Sequence, residues 1–328
     1  MRRVLEPAAP LVLVVVTAAI AANLGSARQL EFQNALVMVG IVVALYVFVG
    51  NSGVISFGHV SFVAAGAYLA GLVTLDPETK GFTTPDLFPA LRHAQLPVVP
   101  SLALAAGVGA AYALVVGLPL MRLSGLPAGI ATFAVLGITY NVLSYWGKIG
   151  PGVQTLSGVP ELGNWGIAAG IAIVVVAAWL YQRSRFGRML RATREDPAAA
   201  RASGISVYRQ RLLAFVLSGA LAGLAGGLYV HQLGLLTPDL FYLDLTFVTL
   251  AMLVFGGMGS LWGAVIGALA ISGLNSFLGD AENTVDVGFR LTLPNGTRLV
   301  TVGAVMALVL ILRPSGLTGG REFGRWRR

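Results

Sequence analysis

Hydrophobic positions run along this chain in long blocks, without the strand-like or helical alternation of a soluble fold. A membrane-spanning helix needs about 20 mainly apolar residues, and ten blocks qualify: 8–24, 33–50, 56–75, 97–118, 126–146, 164–182, 212–233, 244–258, 260–279 and 299–312. The expectation is an all-α, polytopic membrane protein of about ten transmembrane helices, residues 1–328 forming a single transmembrane domain. Two breaks are short, Gly50-Asn51-Ser52-Gly53 and Gly256-Gly257-Met258-Gly259-Ser260. Each is either a turn between two spans or a kink within one broken element. The first block follows Arg2 and Arg3 and resembles a signal peptide; an uncleaved first span is the favoured reading.

The polar positions concentrate in one place. Residues 183–211, RSRFGRMLRATREDPAAARASGISVYRQR, carry eight arginines and two acids. Basic residues in short loops mark the cytoplasmic side, which assigns this loop, Arg122, the N-terminus and the tail 313–328 (Arg321, Arg325, Arg327 and Arg328) to the cytoplasm. Those segments hold 16 basic and 4 acidic residues, the opposite side 6 and 10. Four spans between loop and tail return the tail to the same side, so both termini are expected in the cytoplasm. The outer connections 76–96 and 280–298 are too short for a domain.

Composition agrees. Of 328 residues, 56% are apolar and 11% charged, against about 25% charged in soluble proteins; mean hydropathy is +0.80. The net charge of +8 caps apolar blocks and forms no aromatic-lined stripe, which argues against nucleic acid. There is no cysteine, which excludes disulfides and thiol chemistry. The acids fall outside the spans or at their margins, Asp244 nearest, whereas pumps and membrane oxidoreductases need carboxylates inside. His59, His93 and His231 stand one per segment, poor spacing for a metal. Neither Lys80-Gly81 nor Lys148-Ile149 completes a phosphate-binding P-loop. Uphill transport would draw energy from a partner or from Na⁺.

Candidate sites follow from local chemistry. Gly219, Gly223 and Gly227 repeat every four residues in one span, and Gly259, Gly263 and Gly267 in another, spacing that lets helix backbones approach closely. In 51–61, NSGVISFGHVS, glycines alternate with Asn51, Ser52, Ser56, His59 and Ser61. With Thr132 these groups either line a solute pathway through a broken helix or satisfy nearby carbonyls. Within the arginine loop, Asp196-Pro197 reads as a helix start, an Asp cap with Pro at the first position. Glu195 and Asp196 suit the positive end of its dipole. Ala198, Ala199, Ala200 and Ala202 propagate it past Arg201, and Gly204 ends it before Ile205. So short a helix is marginal alone, so it is expected to dock into something. The surrounding arginines also suit anionic membrane lipid.

Three segments in this order resemble the permease subunits of branched-chain amino acid ABC importers, the LivM type more than the LivH type: GNSGVISFGHVSFVAAGAYLAG, FGRMLRATREDPAAARASGISVYRQRLLAFVLSGALAGLAGGLYV and FGGMGSLWGAVIGA. The resemblance covers about residues 33–316. It implies an ABC importer permease bundle in a bacterial plasma (inner) membrane, with no enzymatic activity and no cofactor of its own. The implied partners are a homologous LivH-type permease, two ATP-binding subunits that hold ATP and Mg, and an extracytoplasmic solute-binding protein. Glu195 to Ile205 would be the coupling helix. Leucine, isoleucine and valine are the implied solutes; urea or short amides are the alternative, and a stand-alone Na⁺-coupled carrier is a more distant one.

Overall fold

The computed structural model describes residues 2–282, 285–286, 290–291, 297–320 and 322. Its helices are α1 (Arg2–Ala22), α2 (Ser26–Ser52), α3 (His59–Thr74), α4 (Pro77–Thr83), α5 (Pro89–Arg92), α6 (Val98–Leu120), α7 (Leu126–Tyr145), α8 (Asn164–Arg183), α9 (Arg185–Glu195), α10 (Pro197–Ala202), α11 (Val207–Leu233), α12 (Leu243–Gly256), α13 (Leu261–Glu282) and α14 (Thr297–Leu312). Two antiparallel pairs of two-residue strands accompany them, β1 (Leu156–Ser157) with β2 (Leu235–Leu236), and β3 (Val285–Asp286) with β4 (Arg290–Leu291).

An apolar helix stands at each of the ten expected blocks. Seven elements among the described residues are long and apolar enough to cross a membrane: α2, α6, α7, α8, α11, α13, and α12 together with the 3₁₀ turn Pro238–Phe241 that precedes it. α3 has 16 residues and meets α4 at a 116° bend, because Pro77 interrupts the run. The apolar parts of α1 and α14 are shorter still.

The two uncertain breaks are both turns between separate helices. Gly53 adopts a left-handed φ of 71° and ends α2, and α3 begins at His59, three residues later than the apolar block. Gly257, at φ 114°, ends α12. Gly259 lies in the turn before α13. The expected triplet Gly259, Gly263, Gly267 is therefore a pair within a helix, since the backbone has already turned at Gly257. The segment 183–211 likewise is not an extended loop: Arg183 closes α8, residues 207–211 open α11, and two helices fill the interval.

α2 is the shaft of the bundle. From Leu36 to Val49 its side chains are buried all round, as a helix apolar on every face demands, and it packs against α1, α8, α11, α12 and α13. α6 and α7 are peripheral and turn Leu114, Val115, Leu118, Ile130 and Ile138 outward. α6 buries a stripe of small residues at every fourth position, Ser101, Ala105, Gly109, Ala113 and Gly117. That stripe faces α11, where a Cβ on Gly219 would overlap Ala113 and one on Gly223 would overlap the Ala105 carbonyl. A Cβ on Gly227 would lie 3.2 and 3.3 Å from the Cβ atoms of Ala105 and Ala70, and Gly66 of α3 abuts Gly223. Backbone contact of this kind replaces the hydrophobic drive that lipid cannot supply. Gly263 and Gly267 bring α13 as close to α12.

One end of the bundle gathers the α2 terminus, the α9–α10 segment, the α12–α13 turn and the tail. A Cβ on Gly50 would lie 2.7 Å from the Met258 carbonyl. Leu317 and Thr318 donate their backbone N–H groups to Phe255 and Gly256 at 2.8 and 3.2 Å, and Glu322 accepts from Leu261 N at the start of α13. The rest of the basic tail, including Arg321, Arg325, Arg327 and Arg328, lies outside the described residues. The connection 280–298 is described only in part.

Candidate functional site

The α9–α10 segment is built from caps. Ser184 accepts from Gly187 N at 3.1 Å to start α9. Gly187 itself admits no side chain, because a Cβ would overlap the Tyr181 carbonyl. α9 stops where Pro197 forces the residue before it out of the helical region; Asp196 is extended at φ −146°, ψ 102°. That conformation aims the carboxylate at the next helix, and Oδ1 accepts from Ala198 N at 2.8 Å and Ala199 N at 3.0 Å. The Ala199 bond, then the Ala198 bond, and more weakly Arg201, hold the Asp196 carboxyl below the usual carboxylate range. Gly204, at φ 78°, closes α10. Its N–H reaches Arg201 O at 2.9 Å and Ile205 N reaches Ala200 O at 3.0 Å, the paired bonds of a Schellman cap. Glu195 ends α9, where the helix dipole is unfavourable to it, and does not belong to α10.

α10 presents Ala198, Ala199 and Arg201 outward and turns Ala200 inward. Its neighbour is fixed from beneath. Arg191 donates to Asn51 Oδ1 at 3.1 Å and to Gln182 O at 2.6 Å, while Arg194 donates to Gly50 O at 2.6 Å. The Gly50 carbonyl belongs to the last turn of α2, where no intrahelical partner exists. Gln182 in turn accepts from Tyr46 OH of α2 at 2.7 Å. Sequence reasoning gave these arginines a topological role or a contact with anionic lipid, because nothing in a linear pattern shows which carbonyl is free.

The polar side chains of 51–61 other than Ser61 are occupied by bonds within the chain. Asn51 Nδ2 donates to Val47 O, and Ser52 Oγ accepts from Val54 N. Thr132 Oγ1 accepts from Phe57 N at 3.1 Å while donating to Gly129 O. Ser218 of α11 donates its hydroxyl hydrogen to Ala44 O at 2.6 Å, so in its 2.7 Å contact with His59 it must accept. His59 therefore carries its proton on Nε2, and Nδ1 accepts from Ser56 Oγ at 2.8 Å. Phe48, Phe62 and Phe215 surround the ring at centroid distances of 5.3 to 5.6 Å. Ser61 is fully buried, and its hydroxyl has no partner among the described residues.

A cavity of about 420 Å³ lies between α3, α6 and α7, near the opposite end from α10. Tyr68, Leu69, Leu72, Tyr112, Thr139 and Val142 contribute to its wall, and none of Asn51, Ser52, Ser56, His59, Ser61 or Thr132 does. Its polar groups are the Tyr68 hydroxyl, buried without a partner among the described residues, and the Tyr112–Thr139 pair at 2.7 Å. A search for polar residues beside glycines passes over such a wall, because tyrosine reads as an apolar core residue.

The family model described as branched-chain amino acid transport system / permease component matches residues 32–312. The permease LivM of the high-affinity branched-chain amino acid transport system of Escherichia coli K12 is 27% identical over 319 residues, covering 86% of this chain and 68% of that protein. The autoinducer 2 import system permease LsrC of Enterobacter sp. 638 is 30% identical over 308 residues, 87% of this chain and 86% of its own. A LivH described as a probable branched-chain amino acid transport permease in Methanocaldococcus jannaschii is 32% identical over 156 residues, 45% of each chain. No solved structure matches significantly. The glycine-packed helical bundle with its capped α10 on the arginine-rich face and the family match over most of its length agree: this chain belongs to the branched-chain amino acid transport system permease family of ABC transporter membrane subunits.

Proposed function

We propose that this chain is the LivM-type membrane subunit of an ATP-driven importer that passes leucine, isoleucine or valine by alternating access. The observation that carries the reading is the outward Ala198–Ala199 face of α10, held between the Asp196 cap and the Gly204 Schellman turn and standing on a segment tied to the core. Two separate ATP-binding subunits, which hold ATP and Mg, receive this knob. Displacement of α10 passes through α9 to the end of α2 by way of Arg191 and Arg194. Since α2 contacts most of the other spans, the bundle rocks as a body and the pathway changes side. A homologous LivH-type permease completes the translocation unit, and an extracytoplasmic solute-binding protein delivers the solute. The arginine-rich end faces the cytoplasm of a bacterial plasma membrane, and both termini lie there.

The LsrC relative favours a second reading, import of autoinducer 2, since it aligns over 86% of its own length against 68% for the E. coli LivM. Reconstitution with the ATPase subunits and cognate binding protein separates the two. ATP-dependent uptake of labelled leucine, without uptake of autoinducer 2, supports the first; the reverse result replaces it with the second. Uptake that needs Na⁺ and no ATPase subunit would overturn both.

A further inference from the structure

Beside α10, at the arginine-rich end, a cavity of about 710 Å³ opens between α10, the start of α11 and the turn joining α6 to α7. Arg122, Ser124, Pro197, Arg201, Tyr208 and Arg211 supply its wall, and among the described residues no carboxylate lines it. Three guanidinium groups thus converge from three elements of the chain. Their known partners leave most of their hydrogens unused. Arg211 donates to Leu123 O at 3.3 Å, yet its Nε is buried with no partner among the described residues. Arg122 lies 6.0 Å from the centre of the Tyr208 ring, whose hydroxyl donates to Leu118 O. Arg201 lies near enough to Arg211 to act on it as a like charge. A buried guanidinium nitrogen without an acceptor, beside cations that repel it, is a site short of an anion.

The surroundings say which anion. The turn exposes Leu123, and the helix ends on either side expose Leu118 of α6 and Leu126 and Ile130 of α7, the last two at 76% and 61%, so the cavity rim continues into the apolar wall that α6 and α7 turn toward lipid. A ligand with acyl chains on that wall and a negative head in the cavity matches both. We propose that the cavity binds the phosphate of an anionic phospholipid headgroup from the leaflet on the arginine-rich side, with Arg122 and Arg211 as its principal ligands and Arg201 closing over it from α10. Arginine suits this role because its planar fork takes phosphate oxygens two at a time. The headgroup would fill the gap between α10 and the bundle. The site is independent of the transported solute.

The test is native mass spectrometry of the purified, delipidated full chain after incubation with phosphatidylglycerol or phosphatidylcholine. Wild type retains one phosphatidylglycerol in preference to phosphatidylcholine. The Arg122→Gln/Arg211→Gln variant loses about 30-fold in that retention, the effect of two cations near a lipid surface. The Arg122→Lys/Arg211→Lys variant keeps the preference, which separates lost charge from a damaged fold. Equal retention of both lipids by wild type, or unchanged retention in the Gln variant, overturns the proposal. So does displacement of the lipid by inorganic phosphate alone, which would assign the cavity to a free anion. Loss of ATPase-subunit assembly in the Gln variant with lipid retention intact would give the arginines to a carboxylate of that partner, and equally overturns it.

Discussion

α9 and α10 are separated by one residue and built by the same capping chemistry, yet they relate to the bundle in opposite ways. α9 buries Leu190 and Thr193 and sends Arg191 and Arg194 into the ends of α2 and α8. α10 buries one alanine and keeps the rest of its surface outward. One helix is an attachment and the other a largely exposed surface. The difference teaches that the arginine density of this segment has two origins: some arginines close carbonyls at helix ends, and others face an open cavity. The far end of the bundle uses the same device. Lys80 is fully buried and donates to the carbonyls of Leu72, Leu91 and Ala94, closing the last turn of α3 as Arg194 closes α2. Burial holds this lysine below its usual range, with Asp76 opposing the shift.

The largest expected effect comes from detaching α9. Arg191→Ala with Arg194→Ala removes three charge-assisted bonds and leaves the Gly50 and Gln182 carbonyls without them, a loss of about 2–4 kcal/mol. Thermal unfolding of the purified chain should show it, and an unchanged transition would mean that α9 is held by packing alone. Next comes a test of the two faces of α10. Ala200→Leu overpacks a buried position and should cost about 1–3 kcal/mol, whereas Ala199→Leu on the outward face should stay within about 0.5 kcal/mol. Equal losses would erase the distinction between the faces. The smallest effect concerns the cap. Asp196→Ala should speed amide exchange at Ala198 and Ala199, and Asp196→Asn, which still offers an acceptor, should largely preserve protection. The carboxyl is depressed in the folded chain. Its contribution is therefore complete above the ordinary carboxylate value of about 3.9 and disappears as pH falls through the lowered folded value. Protection factors at these amides, referred to the intrinsic exchange rate at each pH, that stay constant across that range would argue against the cap.

Much of this architecture is legible in sequence. Ten apolar blocks located ten helices, because a lipid-facing or fully buried helix leaves an uninterrupted apolar run. α10 was legible for a different reason: Asp-Pro and Gly impose its start and stop through backbone geometry that needs no neighbour. What escaped depends on tertiary context. The beginning of α3 at His59 is set by the contacts of Phe57 and His59 with Thr132 and Ser218 on other helices. The small-residue stripe of α6 was present at every fourth position, but its meaning required α11 opposite. Gly259 looked like the head of a glycine ladder and proved to be a turn residue, since spacing alone does not reveal where the chain reverses. The bonds from Arg191 to Asn51 and from Arg194 to Gly50 join residues more than a hundred positions apart, and the carbonyls that the arginines reach carry no sequence mark.

The claim that α10 transmits force rests most directly on Ala199. In the transporter reconstituted with its ATPase subunits and solute-binding protein, Ala199→Glu is expected to abolish ATP-dependent uptake while the chain keeps its thermal transition and ATP hydrolysis continues or falls without driving transport. Uptake at the wild-type rate in that variant would contradict the account.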